Sequence, residues 1–142
     1  MTSKPEARPS DSVVNLASNG RIDFADHVRS GRLTWKFVVI KTAHQTVLVI
    51  GPVKLYRYHS NLVDGFCRMQ DIPAAWAGKA NRVEVYDRSV KVLGGGHFNV
   101  EPESRRIRFY GQSTTYGPFD AKTVSTILGQ GGFFAGYSIL ID

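Results

Sequence analysis

Disulfide chemistry is excluded first, because Cys67 is the single cysteine among 142 residues. One thiol can form neither an internal disulfide nor a cysteine-based zinc cage, and a reducing, cytoplasmic setting is the default for such a chain. Long hydrophobic runs are also missing. The longest apolar stretches, Phe37–Ile40 and Val47–Ile50, are four residues each. That is far too short for a transmembrane helix or a secretory leader, so no membrane partner is expected. No phosphate loop ends in Gly-Lys-Ser/Thr, and no Gly-x-Gly-x-x-Gly follows a strand. None of the four histidines has another at i+2 or i+4, and no Asp-x-Asp pair occurs. No metal site and no cofactor are therefore expected. Cysteine-dependent phosphatases place an arginine six positions after the nucleophile; Pro73 stands there instead. Cys67 reads as a small buried hydrophobe.

What is present is globular composition. The chain is 42% hydrophobic and 11% aromatic, which argues against disorder. Surface scaling implies that about 68% of the unfolded surface is buried on folding, enough for one core without staples. Net charge is +6. Residues 33–142 hold thirteen basic and eight acidic side chains, five of those six charges. No dense Lys/Arg tract exists; Arg105, Arg106 and Arg108 form the tightest cluster. An anionic partner fits this balance, but a polybasic nucleic-acid arm does not.

Residues 1–20 read as a flexible tail, with Pro5, Pro9 and little apolar periodicity. Residues 21–142 read as one domain. Residues 22–30 are a short helical or irregular lead-in. Residues 34–42 alternate as a strand, with Phe37 and Val39 on one face and Lys36, Val38 and Ile40 on the other. Residues 46–50 form a second strand. Leu62, Val63, Phe66 and Met69 then recur at helical spacing, with Ser60 as the expected N-cap. Gly65 weakens that helix. Strands are expected at 83–86 and 89–93, and Gly94-Gly95-Gly96 reads as a tight β turn. Residues 106–111 alternate with Ile107 and Phe109 inward and Arg106, Arg108 and Tyr110 outward. Asp120 caps a helix that Gly129 ends, and residues 134–141 supply a last strand. The expected fold is an α+β single domain, a mixed sheet of about six strands with two helices on it.

Three features could carry chemistry. His59 precedes the helix, whose positive end disfavours imidazolium and leaves a ring nitrogen free to attack or to accept a proton. The Ser113-Thr114-Thr115 segment lies between a strand and a helix, where small polar residues let backbone N–H groups converge on an oxyanion. Lys36 is a lysine in the middle of an apolar strand, which must snorkel, pair or meet an anion. Each also has an ordinary structural reading, as a surface histidine, a hydrophilic connection and a snorkelling edge lysine.

Four segments in order carry a resemblance: Trp35-Lys36-Phe37-Val38-Val39-Ile40; Tyr58-His59-Ser60-Asn61; Leu93-Gly94-Gly95-Gly96; and Tyr110-Gly111-Gln112-Ser113-Thr114-Thr115-Tyr116-Gly117-Pro118. Over about residues 34–128 the chain resembles the Janus/Ocnus family, which includes a small metal-independent protein phosphohistidine phosphatase. The resemblance implies that His59 is the catalytic histidine and that Lys36 contacts the phosphate. It implies that Ser113, Thr114 and Thr115 hold the phosphate through amides and a hydroxyl, with Gly95 and His97 as further candidate contacts. Two departures remove positive charge: His97 replaces an arginine after the glycines, and Ile50 and Gly51 stand where a basic residue precedes the helix. The implied substrate is a phosphorylated protein or peptide hydrolysed without a metal by a cytoplasmic monomer. A non-catalytic anion-binding module is the second reading. Nucleic-acid binding through Arg106, Arg108 and Tyr110 ranks third and is not expected.

Overall fold

Residues 37–40 and 47–50 are buried without a break, as strands covered on both faces are. A computed structural model describes residues 12–18, 23–77, 82–130 and 132–142. Its elements are β1 (Ser12–Asn15), α1 (Phe24–Arg29), β2 (Thr34–Lys41), β3 (Thr46–Pro52), α2 (His59–Gln70), β4 (Ala74–Trp76), β5 (Val83–Val85), β6 (Lys91–Glu101), β7 (Arg106–Tyr110), α3 (Ala121–Gln130) and β8 (Ser138–Ile141). Six strands form one mixed sheet in the order β1-β3-β2-β6-β7-β8, and β4 and β5 form a separate two-stranded sheet. The two outer pairs, β1 with β3 and β7 with β8, are parallel. This is the expected α+β class, with three helices rather than two.

The alternation of β2 divides the core. Trp35, Phe37 and Val39 point to one face, where Phe98, Phe109 and Phe134 join them with Phe24 of α1 and Val124 and Ile127 of α3. Trp35 and Phe98 stack with ring centroids 5.7 Å apart. Val38 and Ile40 point to the other face and meet Leu62, Val63, Phe66 and Cys67 of α2. Burial pushes the Cys67 thiol up to about 11, with Asp64 adding to the shift, so it is an inert core thiol.

Four sequence expectations are corrected. Gly94–Gly96 is not a turn. It lies inside the eleven-residue strand β6, because each glycine admits a neighbour where a side chain would stand. Gly94 adopts φ +122° against the Pro118 carbonyl, and Gly96 faces the Phe119 ring. Second, the described part of the tail is built into the sheet. Val13 pairs with Leu48 and Val14 with Val49, and Leu16 packs where Gly65 has no side chain, 2.9 Å from the position a Cβ would take. The rest of residues 1–20, apart from 12–18, lies outside the described residues. Third, α2 begins at His59 with Tyr58 as N-cap; Ser60 lies inside the helix and is fully buried. Fourth, α3 runs through Gly129 to Gln130, and β8 starts only at Ser138, after turns at 133–136. Asp120 does cap α3, accepting from the Thr123 amide at 3.1 Å.

Among the described residues no helix is long and apolar enough to cross a membrane.

Candidate functional site

Three elements converge beside the middle of β6. The first turn of α2 carries His59, which is 8% exposed. Its Nε2 lies 2.9 Å from the Gly96 carbonyl oxygen. A carbonyl can only accept, so Nε2 carries the hydrogen and Nδ1 holds the lone pair. Burial lowers the His59 pKa, the Gly96 bond opposes that, and the nearby Lys36 charge adds to the lowering. The ring is therefore neutral at pH 7, with one basic nitrogen of known identity.

Gly95 makes this placement possible. A Cβ there would strike the Phe37 carbonyl oxygen and lie 3.1 Å from His59 Cδ2 and from Val38 Cγ1. Its amide already donates to the Gly117 carbonyl at 3.1 Å. Gly95 thus contributes space for the imidazole, and its N–H is engaged within the protein.

Lys36 and His97 are cross-strand partners on β2 and β6. Both are half-buried. Burial lowers the Lys36 pKa. His97 stands with its ring centroid 5.3 Å from that of His59 and stacks on Tyr110 at 5.8 Å. Burial first, then the charges of Lys36 and His59, push its pKa down to about 4. His97 is consequently neutral at pH 7. Gly51 is the other neighbour of Lys36 across the sheet. A Cβ at Gly51 would run into the Tyr56 ring and lie 3.0 Å from Leu62 Cδ2, and Ile50 is fully buried. No basic side chain fits at Gly51 while Tyr56 and Leu62 keep these places, and Ile50 is part of the opposite core.

The 113–117 loop closes on itself. Ser113 N–H donates to the Gly117 carbonyl at 3.1 Å, and Gly117 N–H returns a 2.8 Å bond to the Ser113 carbonyl. Ser113 Oγ accepts from the Tyr116 amide at 2.9 Å. The Ser113 amide is therefore spent on the loop, and the residue is buried at 1% exposure. Thr114 is exposed at the loop tip. The Thr115 carbonyl accepts from Arg82 Nη1 at 3.0 Å.

Tyr116 ties the loop to its surroundings, a role that the sequence does not reveal. Its hydroxyl oxygen accepts from Ser60 Oγ at 3.3 Å and from the Val83 amide at 2.9 Å, and its hydrogen goes to the Val83 carbonyl at 2.9 Å. Ser60 follows His59 in the chain, so one phenol joins the histidine-bearing turn, the loop and β5. The Gly96 carbonyl and Tyr116 were both within recognisable motifs. A main-chain acceptor has no side-chain signature, however, and a tyrosine's partners are set by distant chain.

Among the described residues no group of three or more His, Cys, Asp or Glu side chains could hold a metal ion. Arg106 and Arg108 are partly neutralised, and Arg108 lies over the Tyr110 ring at 5.5 Å. Arg108 Nε is 2.8 Å from Asp142 Oδ2, and Arg106 is 3.8 Å from Glu101. The cluster as a whole offers one neutral imidazole with a defined lone pair, one ammonium, and the exposed Thr114 at the tip of a tight loop. Such an array can bind an oxyanion and act on it by nucleophilic or general-base chemistry.

The family model that matches this chain is described as the Janus/Ocnus family (Ocnus), and the match spans residues 22–138. A search of curated proteins finds no match.

Proposed function

The chain belongs to the Janus/Ocnus family, and from that premise we propose that it is a protein phosphohistidine phosphatase that hydrolyses phosphoramidates without a metal. The observation that carries this reading is the Nε2–H bond from His59 to the Gly96 carbonyl. It leaves Nδ1 as a neutral base or nucleophile, and it gives any positive charge that develops on the ring an acceptor already in place.

Phosphoryl transfer asks little covalent work of a protein, so positioning and charge stabilisation dominate. Lys36 offsets charge on the phosphoryl oxygens. The Thr114 and Thr115 segment supplies neutral donors. In the direct route a water gives its hydroxyl to phosphorus and its proton to Nδ1, which passes it to the departing imidazole. In the covalent route the Nδ1–P bond forms as the substrate P–N bond breaks. The leaving imidazole departs with a proton drawn from solvent, and water then cleaves the phosphoryl group from His59. Both routes need the lone pair that the Gly96 bond leaves on Nδ1.

The deciding assay incubates wild type and His59→Ala with a phosphohistidine peptide and follows phosphate release. The variant should lose at least about 10²-fold in rate while keeping its circular dichroism spectrum. Near-normal turnover would sink the assignment. Addition of a chelator should leave the wild-type rate unchanged.

A non-catalytic anion-binding module is the second reading. The neutral His97 and the absence of a side chain at Gly51 favour it, because both reduce the positive field on a bound phosphate. Phosphate binding with no turnover of any phosphoramidate would select it.

A further inference from the structure

Beside the phosphate loop, the free edge of β5 presents an unused pair of main-chain groups. Tyr86 N–H donates to the Pro73 carbonyl at 2.8 Å, and Ala77 N–H to the Arg82 carbonyl at 2.9 Å. In an antiparallel pair the residues that exchange these bonds alternate with those that do not. Residues 82, 84 and 86 therefore face β4, whereas Val83 and Val85 turn their N–H and C=O outward. The Tyr116 hydroxyl takes both outward groups of Val83, as a neighbouring strand would. The outward groups of Val85 have no hydrogen-bond partner among the described residues. They open on a cavity of about 390 Å³ lined by Val85, Tyr86, Val90, Val92, Arg82 and Tyr116. Its lining is more polar than apolar, because Arg82, Glu84, Tyr86 and Tyr116 border it beside the valines; Val90 is 8% exposed. Tyr86, 63% exposed, stands at the far end.

We propose that this groove docks the extended main chain of the phosphorylated polypeptide, adding it as a strand to the edge of β5 next to the phosphate loop. The inference rests on the proposed function for the identity of the phosphorylated group. Strand addition is the mode expected where an edge offers a donor and an acceptor from one residue. The mixed lining of valines and polar side chains suits an extended segment, whose side chains alternate in direction. Continuity with the site is direct. Val85 lies about 7 Å along the strand from Val83, and Val83 is held by Tyr116, the residue after Thr115. A polypeptide bonded at Val85 therefore runs toward the loop, where its phosphorylated side chain would meet Lys36 and His59. The occupant is a polypeptide rather than a small phosphoramidate, because an extended main chain brings both an N–H and a C=O to Val85 and continues along the groove.

The test uses the intact protein and four probes: phosphoramidate ion, inorganic phosphate, a ten-residue phosphohistidine peptide, and the same peptide with a non-hydrolysable phosphonate in place of the phosphate. Val85→Pro removes the outward N–H while sparing the β4–β5 bonds, a substitution that edge strands tolerate. Its KM for the phosphohistidine peptide should rise about tenfold, with the KM for phosphoramidate unchanged. In wild type, saturation with the phosphonate peptide should slow exchange of the Val85 amide at least about tenfold, whereas inorganic phosphate should not. An unchanged Val85 exchange rate would overturn the proposal, as would a variant that affects both substrates alike. If wild type turns over neither substrate, the hydrolytic reading falls, and Val85 protection by the phosphonate peptide still decides the groove. If Val85→Pro fails to fold, the wild-type exchange measurement decides.

Discussion

His59 Nε2 donates to the Gly96 carbonyl oxygen across 2.9 Å, joining residues 37 apart in the chain. The bond defines which imidazole nitrogen is basic, and Gly95 makes room for it on the same strand. Sequence neighbours on β6 thus divide the work, with one accepting from the ring and the other leaving space beside it.

Gly95→Ala should therefore damage the fold and the site together. Its Cβ would press on a main-chain oxygen of the central strand β2, which cannot swing aside as a side chain could. Destabilisation of about 1–3 kcal/mol is expected, with displacement of His59. Urea unfolding together with phosphate release reads both. A variant of wild-type stability and rate would show that the β2–β6 pairing yields more easily than its packing implies.

Acid should weaken the protein before it reaches the usual carboxylate range. His97 titrates near 6.5 in the unfolded chain and at about 4 in the fold, and the His59 pKa is lowered as well. Between those values the unfolded state binds more protons, so stability is fully present above about pH 6.5 and falls as pH drops toward 4. Denaturant midpoints measured at pH 7.5, 5.5 and 4.5 should decline in that order. His97→Asn should flatten the decline.

The activity profile should shift in the same sense. A neutral His59 is required, and its lowered pKa puts the acid limb of kcat/KM below pH 6.5. Lys36 must stay charged, and its pKa is lowered from 10.5 by burial, so the alkaline limb falls below 10.5. An acid limb above 6.5 would show that a group other than His59 controls the rate.

His97→Arg should put a permanent charge beside Lys36. Inorganic phosphate should bind about tenfold tighter, because guanidinium makes charge-assisted bonds that a neutral imidazole cannot. Repulsion from Lys36 should lower Tm at the same time. Calorimetric titration and thermal melts measure the two effects separately.

Gly65→Ala tests the N-terminal strand. Alanine favours a helix interior by about 1 kcal/mol over glycine, but here the new methyl meets Leu16 Cδ1 at 2.9 Å. The single variant should gain much less than that amount, or lose stability. In a Leu16→Ala background the same change should recover the helical gain. Equal effects in both backgrounds would show that Leu16 does not pack on α2 in solution.

The motifs single out the residues of the candidate site, but the local surroundings of several of them are not legible in the sequence. Lys36, His59 and the 113–117 loop are brought together beside the middle of β6. How their atoms are used was not legible. The Ser113 amide is spent on Gly117 and the Gly95 amide likewise, because loops satisfy their own donors wherever water is excluded. Ser60 reads as an N-cap by its type and place, yet it lies inside the helix and bonds Tyr116, a residue 56 positions away.

Local pattern by itself determined the faces of β2 and β7, the Asp120 cap of α3 and most of the apolar stripe of α2, where Leu62, Val63 and Phe66 are buried but Met69 is exposed and Cys67 is buried instead. Low cysteine content, short apolar runs and absent metal motifs were equally plain in the sequence. Only the tertiary structure decided that three consecutive glycines continue a strand instead of turning it, and that Ser12–Asn15 pairs with β3. It alone assigned the hydrogen on His59 and made His97 neutral. Each of these depends on which distant atoms occupy the neighbouring space, and a linear pattern of residue types does not encode that. Glycine permits a turn and a close approach alike; the Pro118 carbonyl, the His59 ring and the Phe119 ring beside β6 settle which one is used.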